Sequence, residues 1–173
     1  MEFFETLNRR HSIRSFKNRE VEQAKLQKLL GAVNSAPSAG DLQGYDIVLV
    51  RDGKRKDALC KAAYGQDFVR DAPVVLVFCA NASRSSGKYE KRGEELYSVQ
   101  DATIACAFAH LSCVPLGLGS CWVGAFDEEE VSGIIRCPDG VRPVAILPIG
   151  YPDDEPEATP RRELDDLVKK DGY

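Results

Sequence analysis

The run SVQDATIACAFAHLSCV, residues 98–114, is the longest helical stretch of the sequence and the segment around which a fold must be built. It is apolar on most of its circumference, and a helix of that kind is usually buried at the centre of a globular protein. Pro115 and Gly117 mark its end. His110, Ser112 and Pro115 interrupt the apolar run before it reaches membrane length, so a buried core helix is predicted and not a membrane span.

Strands and further helices are predicted on both sides of this central helix in the chain. Runs rich in β-branched residues predict strands at 45–51, 73–80, 120–126 and 141–151. Apolar spacing predicts helices at 2–8, 21–33, 54–63 and 128–135. Asp127 and Glu130 form a capping-box arrangement at the start of the last helix. No internal repeat is visible, so we expect one mixed α and β domain over 1–173, with a polar arm at 152–173.

The composition excludes several classes of protein. With 173 residues, 43% hydrophobic and 29% charged, the chain can bury a core and is not disordered. Its 23 basic against 27 acidic residues give a net charge of -4, which argues against a general nucleic-acid binder. The N-terminal residues lack the apolar region of a secretory signal. The six cysteines form no C-x-x-C pair and lie mostly in apolar runs, so we expect buried reduced thiols, no metal site and a cytoplasmic protein.

Two acid-free basic islands stand out in this acidic chain. Between Asn8 and Arg19 there are five basic residues and no acid, with His11, Ser12 and Ser15 among them. A second island, Ala158 to Arg162, contains a pair of arginines. Guanidinium groups and hydroxyls together suit a compact oxyanion such as phosphate. A solvated basic loop is the alternative, but the second island favours a small anionic ligand.

Two loops could contact a ligand through their backbone or polar side chains. Residues 117–124, GLGSCWVG, follow a helix and precede a strand, which fits neither a Rossmann fingerprint nor a P-loop. Backbone N–H groups in such a turn could face a ligand, and a close-packed turn is the alternative. Residues 36–45, APSAGDLQGY, offer Ser38, Asp41 and Gln43 to a planar polar ring, or form an ordinary connection. No side-chain nucleophile is predicted, and His110 is interpreted as a satisfied core histidine.

Taken together, these segments resemble the nitroreductase family of FMN-dependent oxidoreductases. The matching pieces occur in the family's order and cover nearly the whole chain. They are RRHSIRSF at 9–16, APSAGDLQGY at 36–45, GQDFVRDAPVVLVF at 65–78, DATIA at 101–105, LGLGSCWVGAF at 116–126, IGYP at 149–152 and PRREL at 160–164. The resemblance implies an α+β fold with a central, mostly antiparallel sheet flanked by helices, in an intertwined homodimer with FMN at the subunit interface.

The resemblance also implies which residues hold the cofactor. The phosphate and ribityl chain of FMN would be held by Arg10, His11, Ser12 and Arg14, and the tail would close on the phosphate through Arg161. The loop of the partner subunit would lie against the isoalloxazine ring, and this loop contains Pro37, Ser38, Ala39 and Asp41. A ring-contacting polar position is matched by Gln66. Backbone amides would approach flavin N5 and O4 at Val123 and Gly124.

The implied reaction has two halves at one site. NADH or NADPH passes hydride to flavin N5 and leaves, and a small electron-poor acceptor such as a nitroaromatic or a quinone takes its place. A positive group near N1 and O2, for which Arg14 is the candidate, would stabilise the reduced flavin. This scheme needs no catalytic side chain.

The chain departs from the family pattern at three places. Asp41 stands where many relatives carry Asn, and Gly44 with Tyr45 replaces the commoner Pro-Trp. The region 82–96 is short where larger relatives carry helices that cover the substrate, so an open pocket is expected. A reductive dehalogenase or an oxidase of the same fold, a flavin-storage protein and a nucleotide-binding module without redox chemistry remain as alternatives at this stage.

Overall fold

A four-stranded antiparallel sheet lies at the centre of the computed structural model, which describes residues 1–173. Its strands, in the order β1-β2-β4-β3, are β1 (Tyr45–Val50), β2 (Val74–Asn81), β3 (Gly119–Ser120) and β4 (Val141–Gly150). Every neighbouring pair of strands is antiparallel. The predicted α+β class with a central antiparallel sheet is therefore confirmed.

Eight α-helices surround the sheet. They are α1 (Phe3–Arg9), α2 (Gln23–Asn34), α3 (Gly53–Ala62), α4 (Asp67–Asp71), α5 (Ala82–Arg92), α6 (Ser98–Cys113), α7 (Glu128–Ile135) and α8 (Leu164–Leu167). The five predicted helices are present with ends shifted by at most two residues, whereas α4, α5 and α8 are not among the predicted ones. Asp127 caps α7 as expected, since its carboxylate accepts a hydrogen bond of 2.9 Å from the Glu130 N–H. The other half of the predicted capping box does not form, because the Asp127 N–H donates to the Ala62 carbonyl at 2.8 Å.

Both faces of the sheet are covered at the strand β2, which explains why this strand is an almost unbroken apolar run. On β2, Leu76 and Phe78 pack into a core with α2 and α6. The intervening Val75 and Val77 pack into a second core with residues of α3 and α7. All four side chains are fully buried. Successive strand residues point to opposite faces, so each residue of β2 finds an apolar layer.

The strand predicted at 120–126 is wrong in extent, because only Gly119–Ser120 pairs regularly with β4. The next residue, Cys121, donates its N–H to the Pro148 carbonyl at 3.4 Å. Proline has no N–H to return the bond, so the ladder stops there. Pairing resumes at one isolated bridge, between Val123 and Ile146.

The helix α5 is interrupted near its end and leads into α6. Glu90 has φ 49° and ψ −137°, outside the helical region, and the chain folds back there. A Cβ added to Gly93 would lie 2.5 Å from the Ser85 carbonyl oxygen, so the two segments touch through their backbones. A π-helical turn, Gly93–Tyr97, then joins α6.

The helical stretch Ala82–Leu116 is the one segment with the length and hydropathy of a membrane-spanning helix, at a mean hydropathy of 1.2 over its most apolar 18 residues. Its apolar part is α6, which packs against α2, β2 and β4. Ala102, Ala105, Cys106 and Ala109 are fully buried on that inner face. We therefore assign α6 as the predicted central core helix.

Candidate functional site

The first basic island forms a loop that is tied by its backbone to the end of β4. The Lys17 N–H donates to the Tyr151 carbonyl at 2.9 Å, and the Asp153 N–H donates to the Ser15 carbonyl at 3.0 Å. The Arg14 N–H reaches a carboxylate oxygen of Asp154 at 3.3 Å. These hydrogen bonds between residues 14–17 and 151–154 fix the backbone of the basic loop, from which its side chains project.

The two basic islands meet at one cavity, although about 150 residues of chain separate them. The cavity has a volume of about 340 Å³ and is lined by Arg10, His11, Ser12, Arg14, Pro156, Glu157, Thr159 and Arg161. Its walls carry three guanidinium groups and one carboxylate. The Arg161 guanidinium also donates to the Thr159 hydroxyl at 2.7 Å. The five residues predicted to hold a phosphate therefore share one pocket, and its balance of charge suits an anion.

A half-buried histidine supports the same cavity from behind. His110 on α6 lies 3.2 Å from Arg10, between Nε2 and Nη1, and 2.7 Å from the Ser120 hydroxyl through Nδ1. Both ring nitrogens are therefore engaged, as expected for a satisfied histidine. Burial, together with the neighbouring Arg10 charge, lowers the pKa of His110 to about 4. At neutral pH the imidazole is uncharged.

The loop 36–44, predicted to face a ring, is held by a buried carboxylate. Asp101 on α6 is 2% exposed and accepts the Ala39 N–H at 2.9 Å and the Gly44 N–H at 3.1 Å. Within the loop, the Ser38 hydroxyl accepts the Gln43 N–H at 2.9 Å. This role of Asp101 is not among the sequence-based predictions. A lone acid on an otherwise apolar helix is the signal for it, because buried carboxylates need partners.

The conformation at Asp41 explains one departure from the family pattern. Asp41 is exposed and has φ 59°, next to Gly40 at φ 58°. Asp and Asn are the non-glycine residues that most readily adopt this left-handed conformation. Asp41 therefore meets the same backbone requirement as the commoner Asn.

The helix α5 covers this loop. The Arg84 guanidinium donates to the Gln43 carbonyl at 2.8 Å and to the Leu42 carbonyl at 3.1 Å. Tyr89 lies against Gly40, where a Cβ would come 2.5 Å from its hydroxyl. The segment 82–96 is thus short but folded over the loop, a contact that sequence reasoning missed.

The loop 36–44 and the anion cavity lie apart in one chain. Asp101 holds the loop and His110 contacts Arg10 in the wall of the cavity, and these residues are nine positions apart on α6. At 1.5 Å per residue, their backbones are about 13 Å apart along the helix axis. The structure therefore does not gather all of the predicted cofactor residues around one pocket of a single chain.

The predicted backbone donors near residue 124 differ in availability. The Val123 N–H and C=O are both bonded to Ile146, at 2.9 and 3.0 Å. Gly124 is exposed, and its N–H has no partner within the chain. Gln66 lies beside this segment, since its side-chain amide donates to the Ala125 carbonyl at 3.1 Å. Of the pair, Gly124 is the residue with a donor free for a ligand.

Comparison with known proteins places the chain in a family. The model of the Nitroreductase family matches residues 7–66 and 56–151. The chain is 33% identical over 185 residues to an FMN reductase (NAD(P)H) of Bacillus subtilis, covering 99% of this chain and 74% of that protein. It is 31% identical over 187 residues to an NADH dehydrogenase of Thermus thermophilus, covering 92% of this chain and 91% of that protein.

A solved structure supports the same placement. The NADPH:FMN oxidoreductase of Vibrio harveyi, solved in complex with NAD+, superposes with a TM-score of 0.91 at 25% identity, covering 99% of this chain and 77% of that one. The family match extends over most of the chain, and the fold and the order of its motifs agree with it. The chain belongs to the nitroreductase family.

Proposed function

We propose that the protein is an FMN-dependent oxidoreductase that uses NADH or NADPH to reduce a small, planar, electron-poor acceptor such as a nitroaromatic or a quinone. The observation that carries this proposal is the cavity where the two basic islands meet. Its three guanidinium groups are gathered in a chain whose net charge is -4. A phosphate monoester carries about two negative charges near neutral pH, which matches that cluster.

The residues present fit FMN. Arg10, Arg161 and the Ser12 hydroxyl would hold the phosphate, with His11 beside them, and Arg14 would reach from the same cavity along the ribityl chain. The unpaired N–H of Gly124 and the side chain of Gln66 would contact the ring, with the Val123 backbone next to them. When bound, FMN supplies the redox chemistry, since it accepts hydride from a nicotinamide and passes electrons to an acceptor. Arg14 would add a fixed positive charge at the polar edge of the ring.

A homodimer would complete the site. In one chain the loop with Pro37, Ser38, Ala39 and Asp41 does not line the anion cavity, and we expect it to serve the FMN of the partner subunit. Large apolar side chains are exposed at both ends of the chain, including Phe4 at 76% and Leu164 at 73%. Exposed apolar surface of this kind favours association. We expect the arm at 152–173 to pack on the partner subunit, and light scattering should give the mass of two chains. We expect the protein to lie in the cytoplasm.

The purified protein tests this function directly. We expect it to be yellow and to release FMN on denaturation. NADH or NADPH should bleach the flavin under anaerobic conditions, and a nitroaromatic or quinone should restore its colour. A colourless protein that takes up no FMN would overturn the proposal.

A matched pair of arginine variants tests the anion cavity. Arg14→Ala should weaken FMN binding by about 10- to 100-fold, because a hydrogen bond to a charged group contributes about 1.5–3 kcal/mol. Arg51→Ala removes an exposed arginine outside the cavity that makes no side-chain bond, and it should bind FMN like the wild type. Equal affinity in the two variants would contradict the role given to Arg14.

A further inference from the structure

The hydrogen-bond chain behind the anion cavity has a defined direction. A guanidinium group can only donate, so His110 Nε2 must accept from Arg10 at 3.2 Å. The ring proton therefore lies on Nδ1, which donates to the Ser120 hydroxyl at 2.7 Å. The imidazole is held as one neutral tautomer by its two partners.

The residue at the far end of this chain is itself fixed. Ser120 is 2% exposed, and its carbonyl accepts the Ile13 N–H at 3.0 Å. Ser120 thus binds the basic loop through its main chain and the imidazole through its side chain. His110 and the backbone of the cavity loop are therefore both hydrogen-bonded to one residue of β3, Ser120.

The surroundings of His110 keep it uncharged. A second cavity of about 220 Å³ adjoins the ring, and its titratable groups besides His110 are Arg9, Arg10, His11 and Cys113, with no carboxylate among the lining residues. Burial of the ring, together with the Arg10 guanidinium that a protonated imidazole would face, lowers the pKa of His110 to about 4. His110 is therefore an acceptor for Arg10 and not a further cation for the ligand.

We propose that His110 is a positioning residue that holds the Arg10 guanidinium at the rim of the anion cavity, and so raises the affinity for the phosphate of the ligand without touching it. Arg10 is half-buried and has further N–H groups besides the one that His110 accepts. One N–H of Arg10 donates to His110 and orients the guanidinium, and the others remain available for the anion. The proposal rests on the proposed function only for the identity of the ligand as FMN.

Flavin titrations of His110 variants test this role. His110→Leu, which cannot accept a hydrogen bond, should weaken FMN binding by about 5- to 20-fold, as expected for loss of an oriented charge-assisted contact. His110→Gln keeps an acceptor and should recover most of the affinity. Riboflavin, which lacks the phosphate, should bind all three proteins alike. Thermal unfolding of each variant confirms that it folds.

A double-mutant cycle distinguishes positioning from a structural effect. If His110 acts through Arg10, His110→Leu should have no further effect on FMN affinity in an Arg10→Ala background. Acidification should add a second readout, since FMN affinity of the wild type should fall between pH 5 and pH 4 more than that of His110→Gln. An equal loss of riboflavin and FMN binding, or an undiminished effect in the Arg10→Ala background, would overturn the proposal.

Inorganic phosphate separates this proposal from the proposed function. If the wild type takes up no FMN, the proposed function fails, and the same cycle is run with phosphate alone by ³¹P NMR line broadening. Weaker phosphate binding in His110→Leu, abolished as an effect by Arg10→Ala, would support the positioning role. Unchanged phosphate binding, or none in the wild type, would overturn it.

Discussion

Asp101→Asn is the sharpest test of how the loop 36–44 is held. Asp101 places a carboxylate at 2% exposure between two backbone donors, Ala39 and Gly44, at 2.9 and 3.1 Å. Asparagine has the same shape, so the substitution opens no cavity. Its side-chain amide has only one oxygen, and one of the two N–H groups will face an NH₂ group.

The magnitude follows from these two bonds. Each hydrogen bond to a charged group contributes about 1.5–3 kcal/mol, and a buried N–H left without a partner costs about 1–3 kcal/mol. Asn keeps one weakened bond, so we expect a loss of about 2–4 kcal/mol in the free energy of unfolding. For a chain of this size, that corresponds to a melting temperature lower by about 5–15 °C.

Urea and thermal unfolding measured by circular dichroism, at one fixed protein concentration, give the two quantities. Asp139→Asn is the matched control, because Asp139 is exposed and makes no side-chain hydrogen bond. It should stay within about 0.5 kcal/mol of the wild type. If Asp101→Asn is equally stable, the buried carboxylate does not hold the loop and the reasoning is refuted.

Three further predictions concern packing, ionisation and thiol reactivity. Gly44→Ala places a Cβ against a buried serine hydroxyl of α5 and 3.0 Å from the Asp101 carboxylate, and it should destabilise the fold by about 1–3 kcal/mol, whereas Gly31→Ala, with nothing within 4 Å, should not. The hydrogen bond from the Tyr151 hydroxyl lowers the pKa of Glu22 to about 2, so the stabilisation by ionised Glu22 is present above about pH 4.5 and lost as the pH falls towards 2. Tyr151→Phe should raise the pKa of Glu22 in an NMR titration, and an unchanged pKa would contradict this assignment. Five of the six cysteines are buried, so a thiol reagent should modify Cys137 first in the native protein, and rapid modification of all six would be inconsistent with the fold.

Elements with strong local patterns were predictable from the sequence. The strand β2 is an almost continuous apolar run because both of its faces are buried, and β1 and β4 are mostly apolar. The helix α6 is apolar around most of its circumference and buries one side against α2 and the sheet. The cap at Asp127 depends on residues three positions apart. In contrast, α5 has the sequence ASRSSGKYEKR, which offers no apolar face to detect. It is placed by Arg84 and by backbone contact at Gly93, which are tertiary interactions.

The sequence by itself determined the class of fold, the two basic islands and the family resemblance, because each depends on residue type and on spacing within a short segment. Only the tertiary structure decided which distant groups meet. Asp101 reaches the loop 36–44 across 57 and 62 residues, and His110 reaches Arg10 across 100. Such contacts depend on how α6 packs against the sheet, and no local periodicity encodes them. In the same packing the Val123 N–H is bonded to Ile146 of β4, whereas the Gly124 N–H is free. This difference depends on the position of β4 and cannot be inferred from the motif.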